Sequence, residues 1–109
     1  MAVSAIILDP QNEFEQLFTI PVAGQRSFET YWLPAIESIH TEWIINIQYG
    51  IDLTKTEADC FIHELDVLLS WVDEHIKDDV REQMLSRIHL LQTNLPKAFQ
   101  REDAIVFIG

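Results

Sequence analysis

The stretch 54-TKTEADCFIHELDVLLSWVDEHI-76 carries the clearest helix signal in the chain and decides the fold. Thr54 and Glu57 match a capping box, in which each side chain accepts a hydrogen bond from the backbone amide of the other residue. At about 100° per residue, the apolar side chains that follow form one broad face of a helix that ends at His75 or Ile76. That face consists of Ala58, Phe61, Ile62, Leu65, Leu68, Leu69, Val72 and Ile76.

The same helix has a second apolar stripe on its other side. Cys60, Val67 and Trp71 lie close together there, with Glu64 among them. Because one apolar face is enough to hold a helix on a core, this stripe needs a separate explanation. Either it packs inside the domain, for example under Ile20–Ala23, or it contacts another molecule. An aromatic residue surrounded by carboxylates is typical of a surface that binds a basic partner.

Two acidic residues mark the start of a last helix. Asp78 and Asp79 place negative charge where the helix dipole favours it, and Pro96 ends or kinks the helix. Its predicted core stripe is Val80, Met84, Ile88, Leu91 and Leu95.

Two more helices are predicted before residue 54. A short one covers Gln11–Phe18. A longer one begins with Ser27 as its N-cap and runs to Ile39, with Pro34 kinking or splitting it.

Short apolar runs at both ends of the chain predict strands. Ala2–Leu8 is closed by a turn signal, and Ala104–Gly109 forms a similar run. Trp43–Tyr49 alternates apolar and polar residues up to Gly50 and predicts a third strand, with a helix as the alternative. Ile20–Gly24 is typical of a linker or an extended edge segment.

We therefore expect an α+β fold with a single domain over residues 1–109. Three to four helices pack on a small sheet made of the two terminal strands and the middle strand. An all-helical bundle with apolar ends is the alternative. A chain of 109 residues fits one domain of this kind.

The charge balance limits the partners. Eighteen acidic residues against seven basic ones give a net charge of −11. This charge repels nucleic acids and anionic membranes and favours binding to a basic protein. The alternative interpretation is that the charge only keeps the protein soluble. The single Cys60 suits a reducing compartment, and the N-terminal apolar run is too short for a signal peptide or a membrane span. We expect a cytosolic protein.

No catalytic or metal motif is complete. His63-Glu64 begins like a zinc-binding helix, but Val67 stands where the second histidine belongs. Cys60 and His63 are one helical turn apart without an oxyanion loop. The paired carboxylates, such as Glu13 and Glu15, are read as solvated faces or helix starts. We expect no enzyme activity, no metal and no cofactor.

In size, charge and its acidic helical face with an aromatic anchor, the chain resembles the bacterial immunity proteins that neutralise nuclease toxins, including those of contact-dependent growth inhibition and colicin systems. The resemblance is one of general character over the whole chain. It implies a stoichiometric inhibitor whose carboxylates occupy the positions of nucleic-acid phosphates in the basic cleft of the toxin. The residues that we expect to bind the toxin are Asp59, Glu64, Asp66, Trp71, Asp73, Glu74, Asp78 and Glu82.

A homo-oligomeric structural or regulatory subunit is the alternative function. In such a homodimer the second stripe would pair with itself, against the repulsion of like charges. Salt distinguishes the two functions, because it favours self-association of an acidic chain and slows association with a basic partner.

Overall fold

The two ends of the chain form the middle of the sheet. The computed structural model describes residues 2–109, in which four strands are antiparallel in the order β2-β1-β4-β3. They are β1 (Val3–Ile7), β2 (Thr19–Ala23), β3 (Ile51–Leu53) and β4 (Val106–Ile108). Ala5 of β1 pairs with Ile108 of β4. The predicted pairing of the terminal strands is therefore confirmed.

Five α-helices accompany the sheet within residues 2–109. They are α1 (Glu13–Leu17), α2 (Gln25–Ser27), α3 (Leu33–Ser38), α4 (Lys55–His75) and α5 (Asp78–Asn94). A π-helical turn, Phe28–Trp32, joins α2 to α3, so these three form one continuous helical segment. Two 3-10 helices, Ile44–Tyr49 and Leu95–Ala98, complete the architecture. The α+β fold class is confirmed. In residues 2–109 no helix has both the length and the apolar character needed to cross a membrane.

One hydrophobic core lies between the helices and one face of the sheet. Alternate strand residues point into it, among them Ala5, Ile7, Val106 and Ile108. Helix α4 contributes Phe61, Leu65, Leu68 and Val72, and α5 contributes Met84, Ile88 and Leu91. The side chains that continue the α4 face, Ile62, Leu69 and Ile76, are half-buried at the edge of this core.

The boundaries of α4 follow the sequence signal. The Thr54 hydroxyl accepts from the Glu57 amide, and the Glu57 carboxylate accepts from the Thr54 amide at 3.0 Å. The helix ends at His75, and α5 begins at Asp78 after the N-cap residue Lys77. Helix α4 therefore begins and ends where the sequence predicts, and α5 begins where it predicts. Helix α5 ends at Asn94, two residues before Pro96, and Leu95 belongs to the 3-10 helix that follows.

The segment Trp43–Tyr49 is not a strand, and this prediction was wrong. Ile44–Tyr49 is a 3-10 helix whose buried residues, Ile44 and Ile47, are three positions apart. Gly50 follows with a φ of 83°, a conformation that favours glycine, and the middle strand comes after it as β3. A strand from the middle of the chain does join the sheet, but it begins two residues after the predicted segment ends and lies at the edge of the sheet.

The helix around Pro34 begins earlier than predicted. Gly24 occupies the N-cap position and Ser27 lies inside the helix, so the assignment of Ser27 as N-cap was wrong. The amide of Leu33 donates to the Phe28 carbonyl five residues back, as in a π-turn. Because proline lacks an amide hydrogen and crowds the preceding turn, a wider turn before Pro34 lets the helix continue.

The segment predicted as a linker or an extended edge is strand β2, at one edge of the sheet. Pro21 is tolerated there because an edge strand leaves one side without ladder hydrogen bonds. The Arg87 side chain of α5 donates to the Pro21 carbonyl at 3.1 Å. Helix α5 therefore covers part of this edge, which reduces its tendency to pair with another chain.

A buried ion pair joins α1 to the loop before β4. The Glu15 side chain is fully buried, and its two oxygens accept from Arg101 Nε at 2.9 Å and Nη2 at 3.0 Å. The Gln11 amide donates to the same carboxylate. The hydrogen bonds from Arg101 and then from Gln11 lower the pKa of Glu15 below its usual range, against the opposing effect of burial. Glu15 does lie in the first turn of α1, as expected for a helix start, but its side chain is buried and is not part of a solvated face.

Candidate functional site

Two parallel rows of side chains run along the exposed side of α4. Residues seven apart lie on nearly the same side of a helix, so Asp59, Asp66 and Asp73 form an acidic row. Cys60, Val67 and Glu74 form the neighbouring row, and all six residues are exposed. We name these six residues, with Trp71 and the nearby Asp78 and Glu82 of α5, the α4 face.

The second apolar stripe is divided between solvent and core. Cys60 is exposed and Val67 is 49% exposed, so neither is covered by the Ile20–Ala23 segment. Trp71 is half-buried against the edge of the core, and its ring stacks on His75 with centroids 4.4 Å apart. Part of the stripe is therefore open to another molecule, while Trp71 also supports the fold.

Glu64 forms hydrogen bonds within the fold that the sequence did not predict. Its carboxylate accepts from the backbone amides of Glu42 at 2.7 Å, Trp43 at 2.9 Å and Ile44 at 2.9 Å. These amides form the start of the 3-10 helix, where unpaired N–H groups favour an anion. Glu64 therefore caps that helix, and its carboxylate is less available to a partner than the exposed carboxylates nearby.

Helix α5 holds several carboxylates of the α4 face in place. Arg81 forms ion pairs with Asp73 and, at 2.6 Å, with Glu82. The hydrogen bond to Asp73 raises the pKa of Arg81, so this guanidinium stays charged. Gln92 Nε2 donates to Asp66 Oδ1 at 2.8 Å. These contacts order three of the predicted site residues and neutralise part of the charge of two of them.

Three of the predicted carboxylates have no ion-pair partner in the described part of the chain. Asp59, Glu74 and Asp78 are exposed and form no ion pair within residues 2–109, and the same is true of Asp79. Asp78 begins α5 with a φ of 61°, so it lies at the turn between the two helices. The α4 face therefore carries three exposed carboxylates without ion pairs among the described residues, together with the exposed Val67.

The two histidines of α4 form hydrogen bonds with the helix backbone. His63 Nδ1 lies 2.8 Å from the Asp59 carbonyl, and His75 Nδ1 lies 2.9 Å from the Trp71 carbonyl. A carbonyl only accepts, so each Nδ1 carries the donated hydrogen. Among residues 2–109, no group of three or more His, Cys, Asp or Glu side chains is placed to hold a metal ion.

No family model, curated protein or solved structure matches this chain. The α4 face is the candidate functional site, because it combines exposed carboxylates, an exposed apolar residue and a half-buried tryptophan.

Proposed function

We propose that the chain is a non-catalytic, stoichiometric inhibitor of the immunity or antitoxin type, which binds a basic toxin through the α4 face. The observation that carries the proposal is the set of exposed carboxylates without ion pairs, Asp59, Glu74 and Asp78, around the exposed Val67. An apolar contact bordered by unneutralised charge gives both affinity and selection of an oppositely charged partner.

The chemistry of the face favours a nuclease as the toxin. A nuclease cleft is basic because it binds phosphates, and carboxylates spaced along a rigid helix can occupy those positions. Asp66 and Asp73 are held by side chains of α5, so little side-chain freedom is lost when a partner contacts them. The inhibitor blocks the substrate cleft or a surface next to it and needs no reaction of its own.

We place this inhibitor in the cytosol. Cys60 is an exposed free thiol on the proposed contact surface. Such a thiol persists in a reducing compartment, where an inhibitor would also meet an intracellular nuclease.

Charge reversal tests the proposal. Tagged wild-type protein is used to capture partners from its host at low salt, in parallel with a Glu74→Lys and Asp59→Lys double variant. The control carries Glu29→Lys and Glu37→Lys, two exposed positions on another helical segment with the same change in net charge. We expect one basic protein in equal amount with the wild type and the control, and its loss with the α4 variant.

The captured protein is then assayed for nucleic-acid cleavage. Titration with the inhibitor should abolish cleavage at a ratio of one to one. The proposal is wrong if both double variants retain the partner equally, or if the wild type captures only copies of itself.

A further inference from the structure

A second apolar surface lies away from the α4 face. Helix α1 and the C-terminal half of α5 enclose a groove of about 350 Å³ that is lined by Phe14, Leu17, Phe18 and Leu90. Leu17 is 74% exposed, and Phe14 and Leu90 are each more than a third exposed. The rings of Phe14 and Phe18 are in contact, with centroids 5.9 Å apart. Exposed apolar clusters of this kind on small proteins mark contact sites.

The charges at this groove differ from those of the α4 face. Lys97 lines the groove, and Glu13 lies one turn before Leu17 on α1. The other carboxylate of α1, Glu15, is buried in its pair with Arg101. Lys97 is therefore the charged residue of the groove lining, and the exposed Glu13 lies on α1 outside that lining. A chain with a net charge of −11 meets a second copy of itself with less repulsion here than at the α4 face.

We propose that this groove is the interface of a homodimer with a two-fold axis. A two-fold interface uses the same patch on both protomers, so the patch must supply both a projection and a recess. Leu17 supplies the projection, and the recess lies between Phe14 and Leu90. The axis also allows Glu13 of one protomer to face Lys97 of the other, twice in each dimer. The α4 face remains free, so one dimer can bind two toxin molecules.

Sedimentation equilibrium tests the dimer from micromolar to millimolar protein, at low and at high sodium chloride. We expect the 12.7 kDa monomer to convert to twice this mass with increasing concentration. Salt should favour the dimer, since it screens the repulsion between two acidic chains. Leu17→Ala should raise the dimer Kd by about tenfold or more. Tyr49→Ala is the control, because Tyr49 is 81% exposed and lies outside the groove.

A charge exchange tests the proposed pairing directly. Glu13→Lys and Lys97→Glu should each weaken the dimer, and the double variant with both changes should restore it. Circular dichroism establishes that each variant is folded, which the exposure of Leu17 leads us to expect. A monomer under all conditions, or a dimer that tolerates Leu17→Ala, overturns the proposal.

The two variants test the dimer proposal and the inhibitor proposal separately. Leu17→Ala leaves the α4 face intact and should still capture the toxin, whereas the Glu74→Lys and Asp59→Lys variant should still dimerise.

Discussion

The Glu64 carboxylate connects α4 to the 3-10 helix, so its replacement should destabilise the fold. In Glu64→Gln one carboxylate oxygen becomes an NH2 group, which cannot accept from the backbone amides of Glu42, Trp43 and Ile44 that the carboxylate binds. Hydrogen bonds to charged groups contribute about 1.5–3 kcal/mol each, and we expect a loss of about 2 kcal/mol in the free energy of unfolding. Urea denaturation at neutral pH measures this loss.

Glu74→Gln is the matched control for that measurement, since Glu74 is exposed on the same helix. Its effect should stay within about 0.5 kcal/mol, as for other exposed substitutions. Equal losses for the two variants would contradict the capping role of Glu64.

The buried Glu15 predicts a dependence of stability on pH. The hydrogen bonds from Arg101 and Gln11 lower the pKa of Glu15 in the folded protein. In an unfolded chain the pKa of a glutamate is about 4.3. The contribution of Glu15 to the free energy of unfolding is therefore complete when the pH is above the pKa of the unfolded state. It is lost as the pH falls through the lower pKa of the folded state. Glu15→Gln should be less stable than the wild type at pH 7, and the difference should shrink below about pH 4.

Urea denaturation of both proteins between neutral and acidic pH measures that difference. Glu13→Gln is the control, because Glu13 is exposed on the same short helix. A difference between Glu15→Gln and the wild type that stays constant down to the most acidic pH would show that the ion pair does not control the pH dependence.

Local residue pairs could be predicted from the sequence, and distant ones could not. Thr54 and Glu57 are three residues apart, and a helix brings them together by its own geometry. Glu64 meets amides 20 to 22 residues before it, and Glu15 meets Arg101 across 86 residues. Such pairs depend on how the elements pack in the fold, which a sequence pattern does not contain. From the sequence, these carboxylates therefore could not be distinguished from exposed ones.

At the scale of the element, the capping box should make a measurable contribution to α4. Thr54→Ala leaves the Glu57 amide without its acceptor and should cost about 1 kcal/mol of unfolding free energy. Thr56→Ala, two residues on and exposed, should match or slightly exceed the wild type, since alanine favours a helix interior. Urea denaturation compares the three proteins. If both variants lose the same free energy, threonine content rather than capping explains the effect.

The 3-10 helix shows why one element was predicted wrongly. Ile45, Ile47 and Tyr49 alternate with polar residues, and β-branched residues favour strands. The structure buries Ile44 and Ile47 instead, at the spacing of a 3-10 turn, and the Glu64 carboxylate binds the amides at its start. A tertiary contact therefore outweighed the local preference for a strand. The sequence of a short segment does not predict such a contact.

At the scale of the whole molecule, the periodicity of the two long helices predicted most of the core, because each buries one face. The same geometry put Cys60 and Val67 on the side of α4 opposite the main apolar face but left open whether that side packs inside the domain; the structure exposes both. It could not predict that Trp71, at the border of that side, packs partly against the core. The carboxylates of the α4 face were predicted as a group, but their individual partners on α5 depend on the packing of the two helices.

The net charge of −11 predicts that salt stabilises the fold. Raising the ionic strength from about 0.01 M to about 0.15 M shortens the Debye length from about 30 Å to about 8 Å and screens the repulsion among the carboxylates. The same screening weakens attraction within the exposed ion pairs, in which Arg81 meets Asp73 and Glu82 and Arg101 meets Asp103, and affects the buried pair of Glu15 and Arg101 much less. Exposed ion pairs contribute little, so repulsion should dominate, and the Tm in sodium chloride should rise.

Thermal unfolding at one fixed protein concentration measures this effect. An Asp59→Asn and Glu74→Gln double variant removes two exposed charges that have no ion pair within residues 2–109. It should unfold at a higher temperature than the wild type in low salt and should gain less from added salt, because it has less repulsion to screen. A Tm that falls with salt in both proteins would mean that the ion pairs outweigh the repulsion and that the carboxylates of the α4 face do not strain the fold.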